Sequence, residues 1–343
     1  DHDEDDTFVF SVDQLQDLIP LCKTIDSWVD PLEYGGVTLE SDRALEDAHL
    51  PESALSDLEV ICEGLTGDIY RALLSLDALP EESVLCDTGK ASTEISSMQT
   101  PATASRTPVA LTHFHEESEF EEFRSIASQL RRFRCPTLVR VYGYVELSNG
   151  ICGSVAEFLP GGTLLSRLEE QGRLSWDHTV GVALDVARAL HFLHAQLPPI
   201  FHRNITAANV LFPDPTQCAA TYPRPARLNA VRLSTSVAPL LCKEIPETRA
   251  GQGAYTEKSD VYCFGHLLWI MAFPSGMVDL LNPWAAFDAE HLPTDTPASL
   301  AELIHACVDH NPSRRPSMDE IIETLESINT SYTSVDQDVC KER

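Results

Sequence analysis

The stretch that decides the fold is FHRNITAANVL, residues 201–211. It places His202 and Arg203 side by side and sets Asn209 just before a Val-Leu pair. Upstream, SWDHTVGVALDVARALHFLHAQ repeats apolar residues at spacings of three and four, which predicts a long amphipathic helix. Downstream, DVYCFGHLLWIMAF is apolar on almost every side, which predicts a helix buried at the centre of a lobe. The stretch therefore lies between two predicted helices.

This stretch resembles the catalytic loop of protein kinases, whose pattern is His-Arg-Asp-x-Lys-x-x-Asn. His202, Arg203 and Asn209 match that pattern in identity and spacing. The position of the catalytic base holds Asn204 instead of aspartate, and the lysine position holds Thr206. The resemblance implies a catalytic loop whose base is replaced by a neutral amide.

Three further segments resemble the larger lobe of the same family. SDVYCFGHLLW resembles the buried helix that follows the activation segment in the tyrosine-kinase-like group, with Asp260 where the catalytic loop's backbone is held. Ile245-Pro246-Glu247 resembles the Ala-Pro-Glu motif, and NPSRRPSM supplies Arg315, the usual partner of that glutamate. We therefore expect Glu247 and Arg315 to form a buried ion pair, and these residues to be structural.

The smaller lobe shows the same resemblance with more replacements. EVICEGLTGDIYRA resembles a glycine-rich loop that retains Gly64 and Gly67 but has Cys62 at its first glycine. A side chain there hinders the turn that brings backbone amides close to phosphates. PVALTHF resembles the strand that carries the phosphate-binding lysine, with Ala110 in place and Thr112 at the lysine position.

The segment EFEEFRSIASQLRRFRCPTLVRVYGY resembles the helix that normally supplies a glutamate to that lysine. Counting back from the Cys-Pro turn puts the glutamate position at Ile126. Joint loss of both charges is physically consistent, because a buried glutamate without a cation is costly. A shift of register would instead place one of the earlier acids, Glu119, Glu121 or Glu122, at the glutamate position.

The hinge and the metal site complete the comparison of motifs. GSVAEFLPGGTLLSRL resembles the hinge, with Ala156 at the gatekeeper position and Glu157 and Phe158 offering backbone groups to an adenine. The small gatekeeper leaves a pocket that is either open or filled by a neighbouring side chain. Aligning ARLNAVRLS with the magnesium-binding motif puts Ala230 at the aspartate position, so Asn209 is the one remaining metal ligand.

These segments together predict an α+β, bilobal protein-kinase-like fold with a small β-rich N-lobe and a larger, mainly helical C-lobe. The expected N-lobe is 55–156, with a disordered insertion at about 76–108, and the expected C-lobe is 157–330. Residues 1–54 form an acidic extension with a candidate amphipathic helix, which either packs on the kinase-like body or is offered to a partner. Residues 331–343 are expected to form a flexible tail.

Composition limits the partners that can be expected. The net charge is −29, which argues against nucleic acid and anionic membranes, because both need a basic surface. The acidic surface either serves solubility or meets a basic partner. Ten cysteines occur singly, so we expect reduced thiols, without metal or disulfide roles. No membrane-spanning run and no signal-like start is visible, and a cytoplasmic location is the expectation.

The functional expectation is a pseudokinase that acts as a signalling scaffold or allosteric regulator through protein partners, such as an active kinase. The alternative is a weakly active or unconventional ATP-dependent protein serine/threonine kinase, which would be a phosphotransferase. No cofactor is expected. If ATP binds, it does so either with magnesium or without it, and in the second case Arg232 is the candidate for contacting phosphate.

Overall fold

The computed structural model describes residues 48–62, 68–75, 106–213, 226–230, 245–249, 254–273, 284, 287–288 and 290–341, with only the backbone for Gln171 and 331–341. All of these residues belong to one compact unit, Ala44–Arg343. Several predictions fall outside the described residues: the N-terminal helix, most of the insertion, the two glycines of the glycine-rich loop and the arginine proposed to contact phosphate.

An antiparallel sheet forms the smaller lobe. Its strands run in the order β1-β2-β3-β5-β4. Alternation along each strand gives the sheet two faces, because successive side chains point to opposite sides. One face, with Val109 and Val155, packs into a small core of its own, and the other, with Ala156 and Tyr144, joins the large core. The strands are β1 (Leu55–Cys62), β2 (Ile69–Ser75), β3 (Arg106–His113), β4 (Val141–Glu146) and β5 (Cys152–Glu157).

Helices dominate the rest of the described chain. A two-stranded sheet follows the hinge, and the long C-terminal helix packs on the helix that precedes the catalytic loop. The described elements are α1 (Glu117–Arg132), α2 (Leu164–Gln171), α3 (Trp176–His194), β6 (Val210–Leu211), β7 (Arg227–Leu228), α4 (Glu257–Ala272), α5 (Ala298–Cys307) and α6 (Met318–Lys341). This arrangement is the expected α+β bilobal fold. Within the part of the chain that the structure describes, every helix is too short or too polar to cross a bilayer.

The two helices predicted around the catalytic loop are confirmed. Helix α4 is buried along almost its whole length, from Ser259 to Ala272, which explains why its sequence is apolar on every side. Helix α6 begins with a capping box, the arrangement that the spacing of Ser317 and Glu320 in the sequence favours. The Ser317 amide donates to Glu320 Oε2 at 2.7 Å, and the Glu320 amide donates to Ser317 Oγ. Such reciprocal bonds satisfy amides that a helix start leaves unpaired.

The first predicted boundary of the smaller lobe was wrong. Ala48 and Leu50 lie before the predicted start and are buried. The Tyr144 amide donates to the Ala48 carbonyl at 2.9 Å, and the Leu50 amide donates to the Tyr144 carbonyl at 2.8 Å. The chain approaches β4 so closely that a Cβ on Gly143, whose φ is +149°, would lie 2.0 Å from the Ala48 oxygen. Residues from 48 onward therefore belong to the lobe.

Two other boundaries also differ from the prediction. The last residues assigned to the disordered insertion, 106–108, are the first residues of β3 and pair with 73–75 of β2. They extend the strand because β2 runs on to Ser75 and its backbone groups need partners. Helix α6 continues to Lys341 through the region predicted to be a flexible tail. That region contains no glycine or proline to end a helix.

Candidate functional site

The predicted catalytic loop is anchored by one buried carboxylate. Asp260 of α4 accepts the His202 amide at Oδ2 (2.7 Å) and the Arg203 amide at Oδ1 (2.9 Å). Arg203 has a φ of +60°, a left-handed conformation that non-glycine residues rarely adopt. Asp260 thus fixes the loop's backbone at the point where the chain is strained, as the resemblance implied for this residue.

Two further side chains complete this anchor, and no motif in the sequence points to them. His194 at the end of α3 lies 2.8 Å from Asp260 Oδ2, and the Tyr255 hydroxyl donates to Asp260 Oδ1. Burial acts to raise the pKa of Asp260, but the contacts with His194 and the hydrogen bond from Tyr255 outweigh it and hold the pKa below its ordinary value. Asp260 is therefore a buried, charged acceptor of four donors.

His202 is held as a neutral imidazole at the centre of the loop. It is fully buried, its Nε2 lies 3.0 Å from the Asn229 carbonyl oxygen, and the Asn204 amide donates to its Nδ1 at 3.3 Å. This pattern assigns the proton to Nε2, because Nδ1 acts as an acceptor. Burial lowers the pKa of His202, which favours the same neutral form.

Two asparagines lie at the reactive end of the loop. Asn209 matches the kinase pattern, whereas Asn204 replaces the carboxylate of that pattern. Asn209 Nδ2 donates to the Asn204 backbone carbonyl at 2.9 Å, so the two residues that flank the loop are tied together. The Asn209 carbonyl in turn accepts the Asn229 amide at 2.8 Å, one residue before Ala230. The structure thus brings the base position, the remaining metal-ligand position and the aspartate position into one small region.

This donor set does not fit a magnesium ion. Ala230 is buried and has no side-chain oxygen. Asn209 can offer its Oδ1, since its Nδ2 is the donor to Asn204. Magnesium prefers octahedral oxygen coordination and is usually held through one or two carboxylates plus phosphates. The two metal-ligand positions offer one amide oxygen and no carboxylate, which is too few oxygen ligands for this ion.

The lysine position lies in the middle of the sheet among uncharged neighbours. Thr112 of β3 pairs with Ile69 on β2 and with Ser154 on β5. Ile126 of α1 is half-buried and packs against the large core. Ile126 therefore packs into the core from the helix that carries the glutamate in the kinase pattern. Thr112 lies on the strand that carries the lysine in that pattern.

The gatekeeper and hinge positions follow the predicted order along β3 and β5. Ala110 pairs with Ala156, which is 4% exposed and lies within the large core. At the hinge, the Glu157 carboxylate accepts the Arg140 amide at 2.7 Å and forms an ion pair with Arg227. The carboxylate of Glu157 is thus engaged by protein groups.

Phe158 and the strand opposite it frame the outer part of the hinge. The Arg71 guanidinium of β2 lies over the Phe158 ring, 5.4 Å from its centroid. A cation–π contact of this kind is worth roughly 0.5–1 kcal/mol at an exposed site. The structure thus places the Arg71 guanidinium against an aromatic ring of the hinge.

The structural ion pair of the larger lobe is present. Arg315, whose side chain is 0% exposed, donates from Nη1 to Glu247 Oε1 at 2.7 Å and from Nη2 to Oε2 at 2.8 Å. Burial acts to raise the pKa of Glu247, but the bonds from Arg315 and Ser259 hold it below its ordinary value. Arg315 also donates to the Lys258 and Asp309 carbonyls, so its charge is well satisfied.

Comparison with known families agrees with this geometry. Residues 89–325, more than half of the chain, match the family described as protein tyrosine and serine/threonine kinase. The matched region contains both the anchored loop and the Glu247–Arg315 pair. The chain therefore belongs to the protein kinase family.

Individual relatives are more distant. A probable serine/threonine-protein kinase of Dictyostelium discoideum, drkA, is 27% identical over 64% of this chain and 35% of its own length. Another probable serine/threonine-protein kinase of that organism is 31% identical over 60% of this chain and 20% of its own. Serine/threonine-protein kinase 12 of Arabidopsis thaliana is 29% identical over 62% and 49%. The alignments thus cover less than half the length of these relatives.

Proposed function

We propose that this kinase domain is a pseudokinase of the tyrosine-kinase-like type, which acts as a signalling scaffold or allosteric regulator. The observation that carries the proposal is the set of neutral side chains at Thr112, Asn204 and Ala230, with Ile126 at the glutamate position. These replacements lie on an ordered framework, because the loop and the Glu247 ion pair are held by buried hydrogen bonds.

The chemistry of phosphoryl transfer explains why these positions decide the function. Catalysis of this reaction consists almost entirely of positioning and of stabilising charge on the phosphoryl oxygens. A general base alone contributes about 10²- to 10⁴-fold, and the amide of Asn204 cannot accept a proton in its place. Loss of the lysine and of the metal-binding aspartate removes the positive charge that the phosphates need.

The same reasoning leads us to propose that the domain needs no cofactor. ATP is a polyanion, and the lysine and metal positions in the described cleft offer it no cation. Binding of ATP without magnesium, through Arg232, is a subordinate proposal that concerns a residue outside the described part. The proposed partners are proteins, among them an active kinase, in the cytoplasm, and not nucleic acid or membranes.

The first experiment is a thermal unfolding series with and without millimolar ATP, in magnesium and in EDTA. A ligand that binds only the native state raises the melting temperature. The proposal predicts no rise that depends on magnesium. A rise in magnesium alone would overturn the assignment of Thr112 and Ala230 as degenerate positions, whereas a rise in EDTA would point to Arg232.

A weakly active serine/threonine kinase is the second candidate. It is favoured by the intact anchor at Asp260 and by the names of the relatives. The test is transfer of radioactive phosphate from ATP to generic protein substrates. Measurable transfer that is lost in Asn209→Ala and kept in Asn149→Ala, an asparagine in an exposed turn, would establish this candidate. Equal background in all three proteins supports the pseudokinase.

A further inference from the structure

A cavity of about 280 Å³ lies between the end of α1, the loop that follows it and the start of β4. Most of its lining comes from this segment, and Ala230, at the aspartate position of the metal-binding motif, also lines it. The cavity has an apolar wall and a rim of arginines. The wall includes Leu130, Leu138, Val139 and Val141, and the arginines are Arg134, Arg140 and Arg227.

The sequence around this cavity differs in charge from the rest of the chain. Residues 123–145, FRSIASQLRRFRCPTLVRVYGYV, contain five arginines and no acidic residue. The whole chain has 53 acidic and 24 basic residues, for a net charge of −29. Arg124 is paired with Glu121 and Glu146, which lie just outside this segment. The other four arginines concentrate basic charge on a chain that is otherwise acidic.

The geometry of the arginines suits the recognition of carboxylates. Arg140 stacks on the Tyr142 ring at 5.1 Å, and Arg134 Nη1 donates to the Arg131 carbonyl at 2.7 Å, so both guanidinium groups are positioned by the protein. Arg227 already binds one carboxylate, that of Glu157. A planar guanidinium held in place binds carboxylates with two parallel hydrogen bonds and with little further loss of entropy.

We propose that this arginine-rimmed cavity binds an acidic peptide of a partner protein, with one large apolar side chain of the peptide entering the cavity and flanking carboxylates meeting Arg134 and Arg140. The size of the cavity supports this occupant. Pockets for small ligands usually measure about 300–1,000 Å³, and this cavity of about 280 Å³ suits a single anchoring side chain. The arginines supply the complementary charge.

The site also has a connection to the hinge. Glu157 belongs to the hinge, and its carboxylate holds both the Arg140 amide and Arg227 at the rim. A peptide carboxylate at the rim therefore lies close to a group that fixes the hinge strand. The proposed interaction is independent of phosphate transfer, so it holds whether the domain is a pseudokinase or a weak kinase.

The test is fluorescence anisotropy with the full chain and a fluorescein-labelled peptide of sequence Glu-Asp-Glu-Leu-Asp-Glu. We expect saturable binding that weakens as NaCl rises from about 50 to about 250 mM, because the charges at the rim are partly screened. In the double variant Arg134→Gln/Arg140→Gln, binding is expected to weaken about tenfold or more. Glutamine at position 134 keeps a hydrogen-bond donor near the Arg131 and Phe133 carbonyls, to which Arg134 donates.

Matched controls make the result specific. Arg106→Gln/Arg188→Gln removes one exposed and one half-buried arginine elsewhere and is expected to leave binding within about twofold of the wild type. A peptide with serine in place of leucine is expected to bind about tenfold more weakly, since it cannot fill the cavity. Equal binding by the two double variants, or no saturable binding, overturns the proposal. Tighter binding of single-stranded RNA or of phosphatidylserine vesicles, lost in the same variant, also overturns it.

Discussion

Replacing Asp260 by asparagine tests whether one carboxylate holds the catalytic loop. Each carboxylate oxygen accepts two donors: Oδ1 accepts the Arg203 amide and the Tyr255 hydroxyl, and Oδ2 accepts the His202 amide and faces His194. Asparagine is nearly isosteric but keeps one acceptor oxygen, so two of the four bonds are lost. Bonds to a charged group contribute about 1.5–3 kcal/mol each, which gives an expected loss of about 3–6 kcal/mol.

A loss of this size would be a large part of the total stability of about 5–15 kcal/mol that is typical of a domain. The measurement is urea denaturation of the wild type, Asp260→Asn and Asp319→Asn. The side chain of Asp319 is 74% exposed in its pair with His191, so its replacement is expected to cost less than about 1 kcal/mol. If Asp260→Asn lost no more than this control, the anchor would not be what stabilises the loop.

Three further predictions concern other parts of the framework. Glu247→Ala leaves the buried Arg315 guanidinium without its carboxylate, and we expect unfolding in urea to become easier by about 3–5 kcal/mol; a loss below about 1 kcal/mol would contradict a buried pair. His202 has a lowered folded pKa, so its contribution to stability is fully present above its ordinary pKa of about 6.5 and declines as the pH falls towards the folded value. As the pH falls from about 6.5 to about 5.5, the wild type should lose more stability than His202→Gln, and equal losses in urea denaturation would refute this. Gly143→Ala forces a Cβ against the Ala48 carbonyl and should release the segment before β1, so limited proteolysis there is expected to accelerate; unchanged cleavage and melting temperature would argue against that contact.

The fold could be predicted because its strongest signals are local. Helices α3 and α4 follow from periodicity and apolar content within single segments, and the start of α6 follows from Ser317 and Glu320 alone. The start of the smaller lobe could not be found in this way. Ala48 and Leu50 are held in place by backbone hydrogen bonds to Tyr144, which lies far along the chain. A segment this short has no hydrophobic periodicity from which such a contact could be predicted.

The site could be predicted as a set of positions but not as a set of contacts. Asp260 and Arg315 were identified from their places in motifs, and the structure supplies the bonds that they make. His194 and Tyr255 were missed as partners of Asp260, because each lies in a segment that otherwise reads as ordinary helix or loop. The arginine-rimmed cavity was missed for a different reason, since the net charge of the whole chain hides a basic segment of 23 residues, 123–145.

The charges that this domain keeps differ in kind from those that it lacks. Asp260 and the Glu247–Arg315 pair are satisfied entirely by protein groups, so their stability needs no ligand. The lysine, glutamate and metal-binding aspartate of a kinase cleft are stabilised by one another and by phosphates and metal. Without those ligands, buried charges of this type are costly, whereas threonine, isoleucine and alanine at the same positions are not. A cleft with these neutral residues needs no ligand to be stable, which supports the proposal that the domain is a pseudokinase.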